Sequence, residues 1–139
     1  MDEQPAGIEG EGETILVVED DHVTLGALRD LLSAQNYNVL MAKNGIEALR
    51  IFEQRSDSID LVVCDVVMPE MGGVALFTAL NARYPQVKML FITGHPLQKE
   101  NQALLERGSV NWMQKPFSVP DFRKAVQELL EENSSNPTS

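Results

Sequence analysis

The 139 residues, 15.4 kDa in mass, suffice for one domain with a core of its own and leave little room for a second. A formal net charge of -10 argues against nucleic acid as a direct partner, because such binding rests on clustered Lys and Arg facing phosphates. No run approaches the roughly 18 to 20 apolar residues of a membrane span, the first thirteen residues lack the basic start and apolar region of a signal peptide, and Cys64, the single cysteine, reads as a small buried thiol. These features predict a cytoplasmic domain without membrane contact of its own.

Residues 1–13 hold five acids and no base, with Pro5 and three glycines, and read as a flexible acidic linker. Thr14 to Val18 is a β-branched run. After the acids Glu19 and Asp20, the stretch Asp21 to Asn36 places Leu25, Leu28 and Leu32 at helical spacing. Tyr37 to Met41 reads as a second strand, and Asn44 as the cap of a helix in which Ile46, Leu49 and Phe52 share a face. Leu61 to Cys64 is a strand buried on both sides, Gly72-Gly73 loosens the following loop, and Val74 to Tyr84 is helical. Val87 to Ile92 is the fourth strand. A fourth helix runs from Pro96 to Gly108, Ser109 to Met113 is the fifth strand, and the last helix starts near Ser118 with Val119, Phe122, Val126 and Leu129 on one side. The folded domain is expected over residues 14–132, followed by a disordered tail, 133–139.

Strands joined by intervening helices pair in parallel with right-handed crossovers, so five such units predict a doubly wound α/β domain. Ligands in these sheets sit at the carboxyl ends of the strands. Four apolar runs end there in chemically pointed residues: Glu19 and Asp20, Asp65, Thr93, and Lys115 followed by Pro116. Three carboxylates suit Mg2+ or Mn2+, hard cations that take oxygen ligands. Asp65 on a stiff strand end has the placement of a nucleophile toward phosphorus, with Thr93 and Lys115 placed to hold phosphoryl oxygens. The residue before a proline is driven from helical backbone, and X-Pro bonds are the ones that turn cis, either of which aims Lys115 inward.

The runs Ile15-Leu16-Val17-Val18-Glu19-Asp20-Asp21, Asp65 to Gly73, Phe91-Ile92-Thr93-Gly94 and Lys115-Pro116-Phe117 closely resemble a response-regulator receiver domain of two-component signalling. The resemblance implies a flavodoxin-like strand order, 2-1-3-4-5. It also implies that Asp65 takes phosphate from a histidine kinase or phosphotransfer domain. Asp20, Asp65 and the Val67 carbonyl would bind the metal, Glu19 would act through water, and the Lys115-Pro116 bond would be cis. Thr93 and Trp112 fall at the family's switch positions, Val67 and His95 at positions that tune phosphoryl lifetime, and Gly94 keeps the pocket open. Phosphorylation would then reset the face made by the predicted fourth helix, fifth strand and last helix, and so signal to a downstream output domain or protein.

The acidic linker and the stretches Gly10 to Thr14 and Phe91 to Pro96 resemble receivers attached behind the core of hybrid histidine kinases, whose parent chain is membrane-anchored in some cases. A stand-alone response regulator is the alternative. A phosphatase of the haloacid-dehalogenase type also uses a strand-end Asp with Mg2+, but needs a second Asp two residues on as acid and base. This chain has Val67 there.

Overall fold

The computed structural model describes residues 12–68, 71–94 and 109–132. Five strands form one parallel sheet in the order β2-β1-β3-β4-β5: β1 (Thr14–Val18), β2 (Asn38–Ala42), β3 (Ile59–Asp65), β4 (Met89–Thr93) and β5 (Val110–Gln114). Four helices stand among the described residues: α1 (His22–Ala34), α2 (Gly45–Gln54), α3 (Gly73–Arg83) and α4 (Val119–Glu132). The acidic linker up to Glu11, the predicted helix from Pro96 to Gly108, His95 and the tail lie outside the described residues, so α4 is the helix predicted to come last.

Side-chain alternation along the strands builds two cores. Ile15, Val17, Leu61, Val63, Leu90 and Ile92 face α1 and α4, where Leu25, Leu28, Leu32, Phe122, Val126 and Leu129 meet them. Leu16, Val18, Val62, Cys64, Met89 and Phe91 face α2 and α3, against Ala48, Phe52, Leu76, Phe77 and Leu80. A central strand buried on both faces has no polar side to spare, which explains why Leu61 to Cys64 reads as an unbroken apolar run.

Helices α1, α2 and α4 begin where side-chain caps place them. Asp21 accepts from the Thr24 N–H at 2.9 Å, Asn44 from the Glu47 N–H at 2.7 Å, and the Ser118 hydroxyl from the Asp121 N–H at 3.1 Å. Asn36, with φ of 72°, takes the left-handed conformation that ends α1. Two expected core positions differ. Ile46 is 49% exposed, because the buried stripe of α2 is Gly45, Ala48 and Phe52, one helical residue away from it. Val119 is 44% exposed because it opens α4, ahead of the turn that first meets the sheet.

Two predictions arise from this packing. Gly26 lies inside α1 with nothing within 4 Å of an added Cβ, so Gly26→Ala should add about 0.5–1 kcal/mol and raise Tm by about 1–4 °C in a thermal melt. Tyr37 is buried, and burial, with Glu13 and Glu131 adding to it, pushes its phenol from 10.0 up to about 12. A folded-state value above the unfolded one means that this contribution to stability is complete below pH 10 and is lost as pH rises toward 12. In alkaline urea titrations Tyr37→Phe should lessen the decline over that interval.

Candidate functional site

Because every ladder is parallel, the strand endings share one rim, at the point between β1 and β3 where the order reverses. Carboxylate oxygens of Glu19, Asp20 and Asp65 lie within 4.8 Å of one another. Oxygens on one octahedral Mg2+ at about 2.1 Å stand roughly 3–4 Å apart, so the three acids fit such an ion after a small closure or with one water between. The donors are all oxygen, as a hard cation requires.

Each acid has a different setting. Glu19 is only 2% exposed, and burial pushes its carboxyl up. The Asp21 N–H, donating to Glu19 Oε2 at 3.1 Å, acts against this; the Asp65 charge adds to it; and Lys115 opposes it. Asp20 is exposed, and Asp65 is half-buried at the end of β3. Lys115 reaches across from β5: its Nζ is 3.5 Å from Glu19 Oε1 and 3.9 Å from Asp65 Oδ2. One ammonium thus serves two acids.

Backbone bonds fix this rim from β4. The Val66 N–H donates to the Ile92 carbonyl at 3.0 Å, and the Lys115 N–H to the Thr93 carbonyl at 2.7 Å. Thr93 is 3% exposed, while Gly94 beside it is exposed with open space where a Cβ would stand. The Lys115–Pro116 peptide is cis. The Val67 N–H donates to Asp65 Oδ1 at 3.3 Å, and its side chain is 71% exposed, presenting only methyl groups at the mouth. Trp112 is half-buried on β5, in register with Phe91, and packs on the core shared by α2 and α3.

Gly72 and Gly73, expected to loosen the loop after Asp65, stand instead in close backbone contacts. A Cβ on Gly72 would stand 2.7 Å from the Val66 carbonyl oxygen, and one on Gly73 would stand 2.7 Å from that of Asp65. The glycine pair marks a close approach, as glycine often does, but only the folded chain shows to what.

A doubly wound parallel domain with an acid cluster, a buried hydroxyl and an inward lysine on its switch-point rim is the class that fold and site define. The chain belongs to the response regulator receiver domain family, whose family model matches residues 15–127. It is 35% identical over 129 residues to sensor kinase CckA of Brucella abortus, covering 93% of this chain and 14% of that protein. To the response regulator MprA of Mycobacterium ulcerans it is 33% identical, over 84% of this chain and 49% of the relative. Among solved structures, the receiver domain from hybrid histidine kinase CckA superposes with a TM-score of 0.70 at 31% identity, covering 84% of this chain and 98% of that one. A receiver domain protein from Clostridium thermocellum gives 0.80 at 27%, covering 88% and 97%.

The chain thus spans half or less of these curated relatives' length. It is a receiver domain of two-component signalling, a family that works with histidine kinases or phosphotransfer proteins and with output domains. Among the described residues no helix is long and apolar enough to cross a membrane.

Proposed function

We propose that Asp65 accepts a phosphoryl group from a phosphohistidine. The observation that carries this is the rim itself: three acids within 4.8 Å, with the Lys115 ammonium 3.9 Å from Asp65 Oδ2. The N–P bond of the donor breaks as a bond forms between an Asp65 oxygen and phosphorus; the electron pair leaves with the imidazole, which takes a proton from solvent. Asp20, Asp65 and the Val67 carbonyl would hold Mg2+ or Mn2+, with Glu19 acting through water. When bound, the metal offsets charge on the transferring oxygens and orients them. Lys115 supplies the protein's own positive charge there, and the Thr93 hydroxyl holds one phosphoryl oxygen.

The Val67 side chain carries no acid or hydrogen-bonding group, so the site holds phosphate instead of turning over small esters. Thr93 and Trp112 form the switch: the hydroxyl moves toward phosphate and the half-buried indole follows on the β5 and α4 face. The 35% identity to sensor kinase CckA across 93% of this chain supports a place in a hybrid histidine kinase. There the phosphoryl group would pass from the kinase core, or from a phosphotransfer domain, to an output partner.

Acetyl phosphate with Mg2+ tests the acceptor. The parent should incorporate one base-labile phosphoryl group, and Asp65→Asn none. No incorporation in the parent, or equal incorporation in Asp65→Asn, overturns the reading. A change in Trp112 fluorescence on adding beryllofluoride, absent in Asp65→Asn, tests the switch separately.

A further inference from the structure

We propose that Gly45, at the start of α2, is a positioning residue for the phosphoryl site. It holds Met71, and through Gly72 and Gly73 the carboxyl end of β3, in place through a backbone contact that only glycine permits. The proposal rests on the reading of Asp65 and Val67 as phosphoacceptor and metal ligand. Gly45 itself carries no functional group and lies 20 residues before Asp65.

A Cβ on Gly45 would fall 2.6 Å from the Met71 carbonyl oxygen and 2.8 Å from Met71 Cβ and Cγ. A side-chain tip could rotate away from such a contact; a backbone oxygen cannot. Either α2 or the loop must shift. Helix α2 is held along its length: Asn44 caps it, Ala48 and Phe52 are buried at 0% and 3%, and at its far end Glu53 meets Arg83 of α3 at 2.6 Å. The Phe52 ring also packs on Tyr84 at 5.0 Å between centroids. The loop is therefore the part that yields.

Its displacement has a short route to the site. Met71 is followed by Gly72 and Gly73, which press on the Val66 and Asp65 carbonyls, and the Gly73 N–H donates to the Val66 carbonyl at 2.9 Å. One residue further, the Val67 N–H meets Asp65 Oδ1 at 3.3 Å. None of Gly45, Gly72 and Gly73 has positive φ, so space and not backbone conformation selects glycine here. Mg2+ demands near-ideal octahedral geometry, so a shift of a few tenths of an ångström in Asp65 or the Val67 carbonyl weakens its binding.

The test is Mn2+ binding to the full chain by electron paramagnetic resonance, with thermal melts run beside it. Gly45→Ala should bind Mn2+ about tenfold more weakly while still folded, and Gly26→Ala should match the parent. Met71→Ala, which loosens the same contact without adding an atom, should lose affinity severalfold and decides the matter if Gly45→Ala does not fold. Parental Mn2+ affinity in folded Gly45→Ala, or in Met71→Ala, overturns the proposal, whatever their Tm. Asp65→Asn separates the two layers: weakened Mn2+ binding there with parental binding in the other two sinks the role of Gly45 alone, whereas parental binding in Asp65→Asn sinks the site reading beneath it.

Discussion

Lys115→Met is expected to move two properties of the pocket in opposite directions. Mg2+ should bind about three- to tenfold more tightly, and phosphoryl transfer to Asp65 should slow by roughly 10²- to 10³-fold. The ammonium stands 3.5 Å from Glu19 Oε1 and 3.9 Å from Asp65 Oδ2, where it would compete with a metal for the same carboxylates. Removing it lowers the repulsion felt by an incoming dication; because the lysine side chain is 32% exposed, solvent screens that repulsion and the gain stays near one decade. On the proposed function, the transferring phosphoryl oxygens would have the opposite need, because Lys115 would supply positive charge that a metal held by the acids does not replace. Methionine keeps much of the aliphatic length, so packing around Glu19 changes little. Calorimetric Mg2+ titration and rapid-mixing kinetics with acetyl phosphate read the two effects; affinity and rate falling together would mean that Lys115 orders the acids and does not act on phosphate.

The sequence made the rim legible because a parallel sheet converts order along the chain into position. Once the apolar runs are strands, Asp65, Thr93 and Lys115 must end on the same edge as Glu19 and Asp20, and they do. The Asn44 cap and the helix starts near Asp21 and Ser118 are equally legible, since a helix start is a local event of three or four residues. What escaped was long-range contact. Gly45 against Met71 joins residues 26 apart, and no periodicity marks it. Ile46 was placed on the buried face because an apolar residue at helical spacing carries no sign of how far the sheet extends beneath it. Nothing local in the sequence separates Glu19 from Asp20 as site acids, yet Glu19 is buried and Asp20 exposed, because β1 lies between β2 and β3 and its last side chains stay covered.

Phe91→Ala should have the largest effect on stability, about 3–5 kcal/mol, out of a total of roughly 5–15 for a domain of this kind. Phe91 is fully buried in β4, with Cys64 and Trp112 as its neighbours in register, and its ring meets Phe77 of α3 edge-on at 6.2 Å. The cavity cannot collapse easily. The strands on either side are bonded to β4 along their length, and α3 is pinned at one end by the contacts of Gly72 and Gly73 and at the other by Arg83 on Glu53. At about 2–4 °C per kcal/mol, Tm should fall by roughly 6–20 °C. The site should suffer less. Thr93 is two residues further on, but its end of the strand is fixed by backbone bonds from Val66 to Ile92 and from Lys115 to Thr93, which the substitution leaves in place. At low temperature the folded variant should therefore phosphorylate within severalfold of the parent, the reverse of Lys115→Met, which should fold well and transfer poorly. Urea denaturation gives the first quantity and acetyl phosphate incorporation at about 5 °C the second. A stability loss under about 1 kcal/mol would show that α3 moves in to fill the space, and that the glycine contacts do not hold its position.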